Sequence, residues 1–224
     1  MHVPDGLMHP LISLVGWIIA IVVIALSVHF LNKKLPYRTL PLMAVIGGGI
    51  FVAQMLNFPI GGGTTGHLVG ATLAAILLGP LAGMVIIVTI LIIQALLFGD
   101  GGVTALGLNV LNMAIIGCFL GWAVYRAVPG KYQKFGILLA SWLAVFIGSL
   151  ACAAELAGSF VMSGGAYGIT GLVAFPSMLI YHSLIGIGEA VITFGVVSYI
   201  SKVSPDLIHT PAVGLWTRRK VVLE

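Results

Sequence analysis

The 224 residues are 60% hydrophobic, only 7% charged and formally +4. That composition excludes a soluble domain and places the chain among polytopic membrane proteins, all-α and multi-pass in the cell membrane. The cations cluster beside apolar runs, so they act as topology signals and imply no nucleic-acid partner; the lipid bilayer is the expected surrounding.

The chain opens Met1-His2. A free α-amine, the deprotonated backbone nitrogen of His2 and an imidazole nitrogen can close two fused rings on one divalent cation, with three nitrogens in a plane. A fourth nitrogen completes a square. Such a set suits Ni(II) or Cu(II) rather than Mg(II) or Ca(II), which take oxygens. The competing reading is a histidine near a chain start that binds nothing. Met1 is expected to be kept, because His2 is bulky and the first apolar run is long enough to span rather than to serve as a cleaved signal. Asp5 reads as structural, capping the first helix or making an Asp5-Gly6 turn, with orientation of the His2 ring as the alternative. His9-Pro10 marks the start of that helix, and His9 is near enough to the mouth to be a substitute ligand.

Apolar runs follow at 11–30, 41–56, 68–98, 106–125, 135–162 and 169–200. The run Leu68 to Phe98 is long for one helix, and Gly79-Pro80 inside it breaks or begins a helix. Splitting it gives seven transmembrane helices and puts Lys33, Lys34, Arg38, Arg126, Lys131, Lys134, Lys202, Arg218, Arg219 and Lys220 on one side. By the positive-inside rule that side is cytoplasmic, so the amino terminus lies outside and the carboxyl terminus inside. Residues 1–200 form one bundle and 201–224 a cytoplasmic tail.

This topology gathers His2, Asp5, the loop Asn57 to Gly66, His67 and Asp100 on the outer side, and excludes His29 and His209. Segments two and three are too short to cross about 30 Å at about 1.5 Å per residue. Irregular backbone around Gly61-Gly62-Gly63 is expected to dip below the surface, which is tolerated only where protein or water surrounds it. The candidate metal site is Met1, His2 and His67, with neutral donors. An amine of ordinary pKa, about 7.7–8.0, makes affinity fall in acid. His67 reads as a helix start, whose partial positive charge opposes a cation, although loss of the His2 amide proton offsets it. Alternatively, His67 only hydrogen-bonds a loop carbonyl.

Buried amides need partners, so Gln94, Asn109 and Asn112 are expected to bond between helices, with Asn109 also placed to support the pocket. Glu155, His182 and Glu189 lie inside spans. His182 and Glu189 are seven residues apart, close to two turns, and a hydrogen-bonded structural role competes with a proton relay or second ion site. Cys118 and Cys152 read as core filler without a disulfide. Three small-residue pairs, Ala71 and Ala75, Gly79 and Gly83, and Gly117 and Gly121, allow close helix approach within the bundle or against another subunit. No Walker-type loop, no His-Glu-x-x-His and no Gly-x-Ser-x-Gly occurs, so neither an ATPase site nor these enzyme classes are encoded, and no catalytic residue is assigned.

Met1-His2-Val3-Pro4-Asp5-Gly6, together with Phe58-Pro59-Ile60-Gly61-Gly62-Gly63-Thr64-Thr65-Gly66-His67-Leu68, resembles the nickel/cobalt substrate-binding membrane subunit, the CbiM/NikM family, of energy-coupling factor transporters. Leu73 to Pro80, Gln94 to Gly102 and Gly186-Ile187-Gly188-Glu189-Ala190 agree, and the match covers residues 1 to about 200. The resemblance implies a seven-helix bundle whose outer amino terminus folds into the pocket. The implied ligands are the amine of Met1, the backbone and ring nitrogens of His2, and His67. It also implies three partners: a membrane coupling protein, a cytoplasmic ATPase that powers uptake, and a small accessory membrane subunit. Pro4-Asp5-Gly6 looks more like nickel-type members, which favours Ni(II) as the transported substrate, with Co(II) able to fit. The competing function is a stand-alone proton-coupled metal carrier or channel using His182 and Glu189.

Overall fold

A computed structural model describes residues 1–61 and 63–208. Helix α1 (Pro10–Lys34) starts at its N-cap His9, whose Nδ1 accepts from the Leu11 N–H, with Pro10 in the first turn where its missing N–H costs nothing. Helix α2 (Leu40–Gln54) leads to a small antiparallel hairpin, β1 (Phe58–Ile60) and β2 (Thr64–Gly66), in which Phe58 faces Gly66 and Ile60 faces Thr64. Helix α3 (Ala71–Leu78) follows, then α4 (Pro80–Ile93), prolonged by a π-helical turn Gln94–Phe98. Helix α5 begins as Leu106–Asn109, widens into a π-helical stretch Val110–Ile116 and finishes as Gly117–Ala127. The long helices α6 (Gln133–Met162) and α7 (Gly171–Val203) pack along each other, and a short α8 (Pro205–Ile208) ends the described chain. Positions 209–224, including His209 and most of the expected tail, lie outside the described residues, as does Gly62.

Among the described residues, five helices are long and apolar enough to cross a membrane: Pro10–Lys33, Pro80–Phe98, Leu106–Ala127, Gly130–Met162 and Gly171–Val203. With α2 and α3 the main helices among the described residues number seven, and the break in the third apolar run falls at Gly79-Pro80 as the sequence indicates. One element departs from the all-α expectation. The loop before α3 is an ordered hairpin rather than irregular backbone. Phe58, Ile60, Thr64 and Thr65 favour β structure, and strand pairing satisfies their polar backbone groups.

Helix α3 is the central post, since all eight of its residues are buried. Lipid tails give little hydrophobic reason for helices to associate, so close approach and dispersion must hold the bundle. The small-residue pairs serve this internal packing. A β-carbon on Gly83 would lie 2.8 Å from the Ala75 nitrogen, one on Gly117 would lie 2.6 Å from Ala71 Cβ, and one on Gly121 would collide with the Thr72 hydroxyl. Gly70, at the N-cap of α3, has φ +72 and presses against Ile50, where a side chain has neither the backbone freedom nor the room. The cysteines are free and buried, and Cys118 donates to the Ala71 carbonyl at 3.4 Å.

Candidate metal site

The first three residues leave the surface and enter the bundle: Met1, His2 and Val3 are all buried. A run of three residues outside any helix or strand carries backbone donors and acceptors that must be paired there. Asn109 on α5 supplies one pair, its Oδ1 accepting the Val3 N–H at 2.9 Å and its Nδ2 donating to the Val3 carbonyl at 3.2 Å. The Gly102 N–H donates to the same carbonyl at 2.8 Å. The Met1 amine donates to the Thr65 carbonyl of β2, which fixes the chain start against the hairpin.

This threading sets the His2 ring against His67. The two imidazoles stack with centroids 4.7 Å apart and planes 28° apart. The Nδ1 of His67 donates to the Leu68 carbonyl at 2.6 Å, so the expected loop contact exists, and it leaves the lone pair on Nε2. That Nε2 and His2 Nε2 are both buried with no hydrogen-bond partner among the described residues. Asp100 Oδ2 stands 3.7 Å from His2 Nε2 and accepts from Asn57 Nδ2 at 2.5 Å. Gln94 is buried beside His2, and its main-chain carbonyl accepts the Asp100 N–H at 3.0 Å.

The helix-start objection to His67 does not hold. Helix α3 begins at Ala71, four residues beyond His67, and the N–H groups of Val69 and Gly70 at its head are taken by the two carboxyl oxygens of Glu189 at 2.8 and 2.7 Å. The N–H groups at the dipole end that would repel a cation are thus taken up by a carboxyl group.

Burial governs the electrostatics. It lowers the amine of Met1 from 8.0 to about 5, opposed by the potential of Cys152 and Asp100. Burial, followed by the neighbouring amine, brings His2 from 6.5 to about 3. His67 is held well below its usual value by burial first, then by the amine, His2 and, more weakly, His182. All three bases are therefore neutral at pH 7 and carry lone pairs. Asp100 is raised, chiefly by burial, with the Asn57 amide opposing.

Other singled-out residues lie outside this cluster. Asp5 neither orients His2 nor caps α1; its Oδ1 accepts the Thr104 N–H at 2.7 Å and the Thr104 hydroxyl at 2.6 Å, pinning the loop after Asp100. His9 is a helix cap, and His29 is exposed on α1. Glu155 accepts from Asn112 Nδ2 at 2.7 Å between α6 and α5. His182 and Glu189 are both buried as their spacing suggests, but His182 Nδ1 bonds the Met178 carbonyl at 2.8 Å while Glu189 serves α3. The sequence groups Asp100 with His2 but gives no sign of their close approach, since nothing in Gly99-Asp100-Gly101-Gly102 names a partner nearly a hundred residues away. Among the described residues no three His, Cys, Asp or Glu side chains form a metal-binding group, so a cation held here needs main-chain or terminal nitrogen.

The family described as CbiM, a cobalt uptake substrate-specific transmembrane region, matches residues 2–207. The chain belongs to the CbiM family. It is a multi-pass membrane component of cobalt/nickel uptake, a transport subunit and not an enzyme. This CbiM-family chain is 40% identical to a protein of Archaeoglobus fulgidus named for fused nickel transport, NikMN, over 95% of this chain and 69% of that protein. It is 33% identical to the cobalt transport protein CbiM of Acetoanaerobium sticklandii over 76% of each. A solved structure described as a truncated transition metal transporter superposes with a TM-score of 0.86 at 36% identity, covering 90% of this chain and 99% of that one.

Proposed function

We propose that this CbiM-family member is the capturing subunit for Ni(II), bound in a plane by the Met1 amine, the deprotonated backbone nitrogen and ring Nδ1 of His2, and His67 Nε2. Nδ1 is the ring nitrogen that closes a six-membered chelate with the His2 amide. Its Nε2–H then faces Asp100, an arrangement in which a carboxylate orients a metal-binding imidazole. The observation that carries this reading is the burial of an amine and two neutral histidines together, with His67 Nε2 left unpartnered. Co(II) fits the same donors; the Pro4-Asp5-Gly6 start and the planar nitrogen set favour Ni(II). In the same reading the amino terminus faces outward, and Lys33, Lys131, Lys134 and Lys202 mark the cytoplasmic side. The lack of an ATPase motif fits a subunit driven by others: a membrane coupling protein, a cytoplasmic ATPase and a small accessory membrane subunit.

The test is Ni(II) titration of the purified chain by calorimetry and absorbance, beside His2→Ala and His67→Ala. One-to-one binding with a planar four-nitrogen spectrum is expected, and that spectrum is lost in both variants. Undiminished binding in both variants places the ion elsewhere.

A further inference from the structure

One face of α7 runs along the segment that carries His67, and its contacts can be followed residue by residue. Met178 Sδ accepts the Thr64 hydroxyl at 3.2 Å, a β-carbon on Gly66 would lie 2.8 Å from Ile185 Cδ1, and Glu189 holds the N–H groups of Val69 and Gly70. Positions 178, 182, 185 and 189 share one helical face. His182 therefore stands between the contacts to Thr64 and to Gly66, opposite Thr65, and near enough to His67 to bear on its charge state. Thr65 is the residue whose carbonyl receives the Met1 amine.

His182 is fully buried, and its Nδ1 is committed to the Met178 carbonyl as a donor. Its lone pair thus lies on Nε2, which has no hydrogen-bond partner among the described residues. A buried imidazole with an unused acceptor is costly in a bundle of apolar helices unless that nitrogen has a task. His67 presents the same arrangement: Nδ1 tied to a backbone carbonyl and Nε2 open. Both rings have the tautomer of a metal-binding histidine whose far nitrogen is oriented by a carbonyl.

We propose that His182 and His67 form a second, inner station for a divalent transition-metal ion, which His67 shares with the outer chelate. His67 stays bound while the ion exchanges the Met1 amine and His2 for His182 Nε2, so the cation is not stripped to a single ligand on its way into the bundle. The donors are two neutral imidazoles, a set suited to Ni(II), Co(II), Cu(II) or Zn(II) and unsuited to Mg(II) or Ca(II). This inference rests on the outer chelate proposed above.

The experiment uses the full chain labelled with ¹⁵N-histidine, with Cu(II) as an electron paramagnetic resonance probe that counts imidazole nitrogens. His2→Ala disables the outer chelate. It is expected to bind one Cu(II) through two imidazoles, and His2→Ala/His182→Ala to show one imidazole and affinity lower by about tenfold or more. His182→Ala alone is expected to retain the parent four-nitrogen Ni(II) spectrum, which also reports an intact fold. A single imidazole in His2→Ala, equal Cu(II) affinity with and without His182, or loss of the Ni(II) spectrum in His182→Ala overturns the inner station. If the parent chain itself lacks the four-nitrogen spectrum, the outer chelate fails, and that outcome is read separately, before any variant is made.

Discussion

Gly101 leaves open the space beside His2: a β-carbon there would lie 2.7 Å from His2 Nδ1 and 3.0 Å from Asn109 Nδ2. Its φ of +88 is also a conformation that side chains resist. Gly101→Ala is therefore expected to displace the His2 ring and weaken Ni(II) binding by about 10- to 100-fold. Gly48→Ala, with nothing within 4 Å, is the neutral control. Calorimetric titration of the two variants checks this, and equal affinity in both would remove Nδ1 from the ligand set.

The Met1 amine is enclosed and bonded to Thr65. One glycine added before Met1 turns that amine into an amide and forces a longer chain into the same space. Loss of the four-nitrogen Ni(II) spectrum is expected, with helical circular dichroism unchanged. Full affinity in the extended chain would show that the amine is no ligand.

The same burial changes the expected response to pH. With ordinary values the amine would compete with metal already below about pH 8. Held at about 5, it is neutral through the physiological range. The sign follows from the protons displaced: above pH 5 only the His2 amide proton is released on binding, so log affinity rises by about one per pH unit. Below pH 5 the amine is protonated too, and the dependence steepens toward about two per unit. Titrations from pH 4.5 to 8 test this, and steepening that begins near pH 8 would mean that the amine is open to solvent.

Glu189 offers two oxygens to two N–H groups at the head of α3, and Gln has only one oxygen to offer. Glu189→Gln leaves a buried N–H facing an amide NH₂, at a cost of about 1–3 kcal/mol. Lower thermal stability in detergent is expected, with Ni(II) affinity changed by less than about tenfold. A carrier that moved protons through Glu189 would behave the other way, keeping its stability and losing flux.

Helix positions were legible in the sequence because long apolar runs, cations and Gly79-Pro80 mark them locally. The gathering of Met1, His2 and His67 was legible through topology and through resemblance. What escaped was set by distant partners. The hairpin has strands of only three residues, too short for an alternating pattern to register. The pairing of Glu189 with Val69 and Gly70 joins residues about 120 apart, and the support of Val3 by Asn109 spans about as much. Asn109 could be suspected from its depth and residue type, but its exact grip on both polar groups of one residue could not.

The loop Gly99 to Ala105, which walls in His2, hangs between the π-helical turn Gln94–Phe98 and the π-helical stretch Val110–Ile116. A π turn holds about one residue more than an α turn, so tightening either one rotates what lies beyond it by about 100°. The loop is thus suspended on two swivels. A twist of α4 or α5 imposed at the end away from His2 would reach this loop as a turning of Asp100 and Gly101 about the imidazole they enclose, a rotary latch rather than a hinged lid.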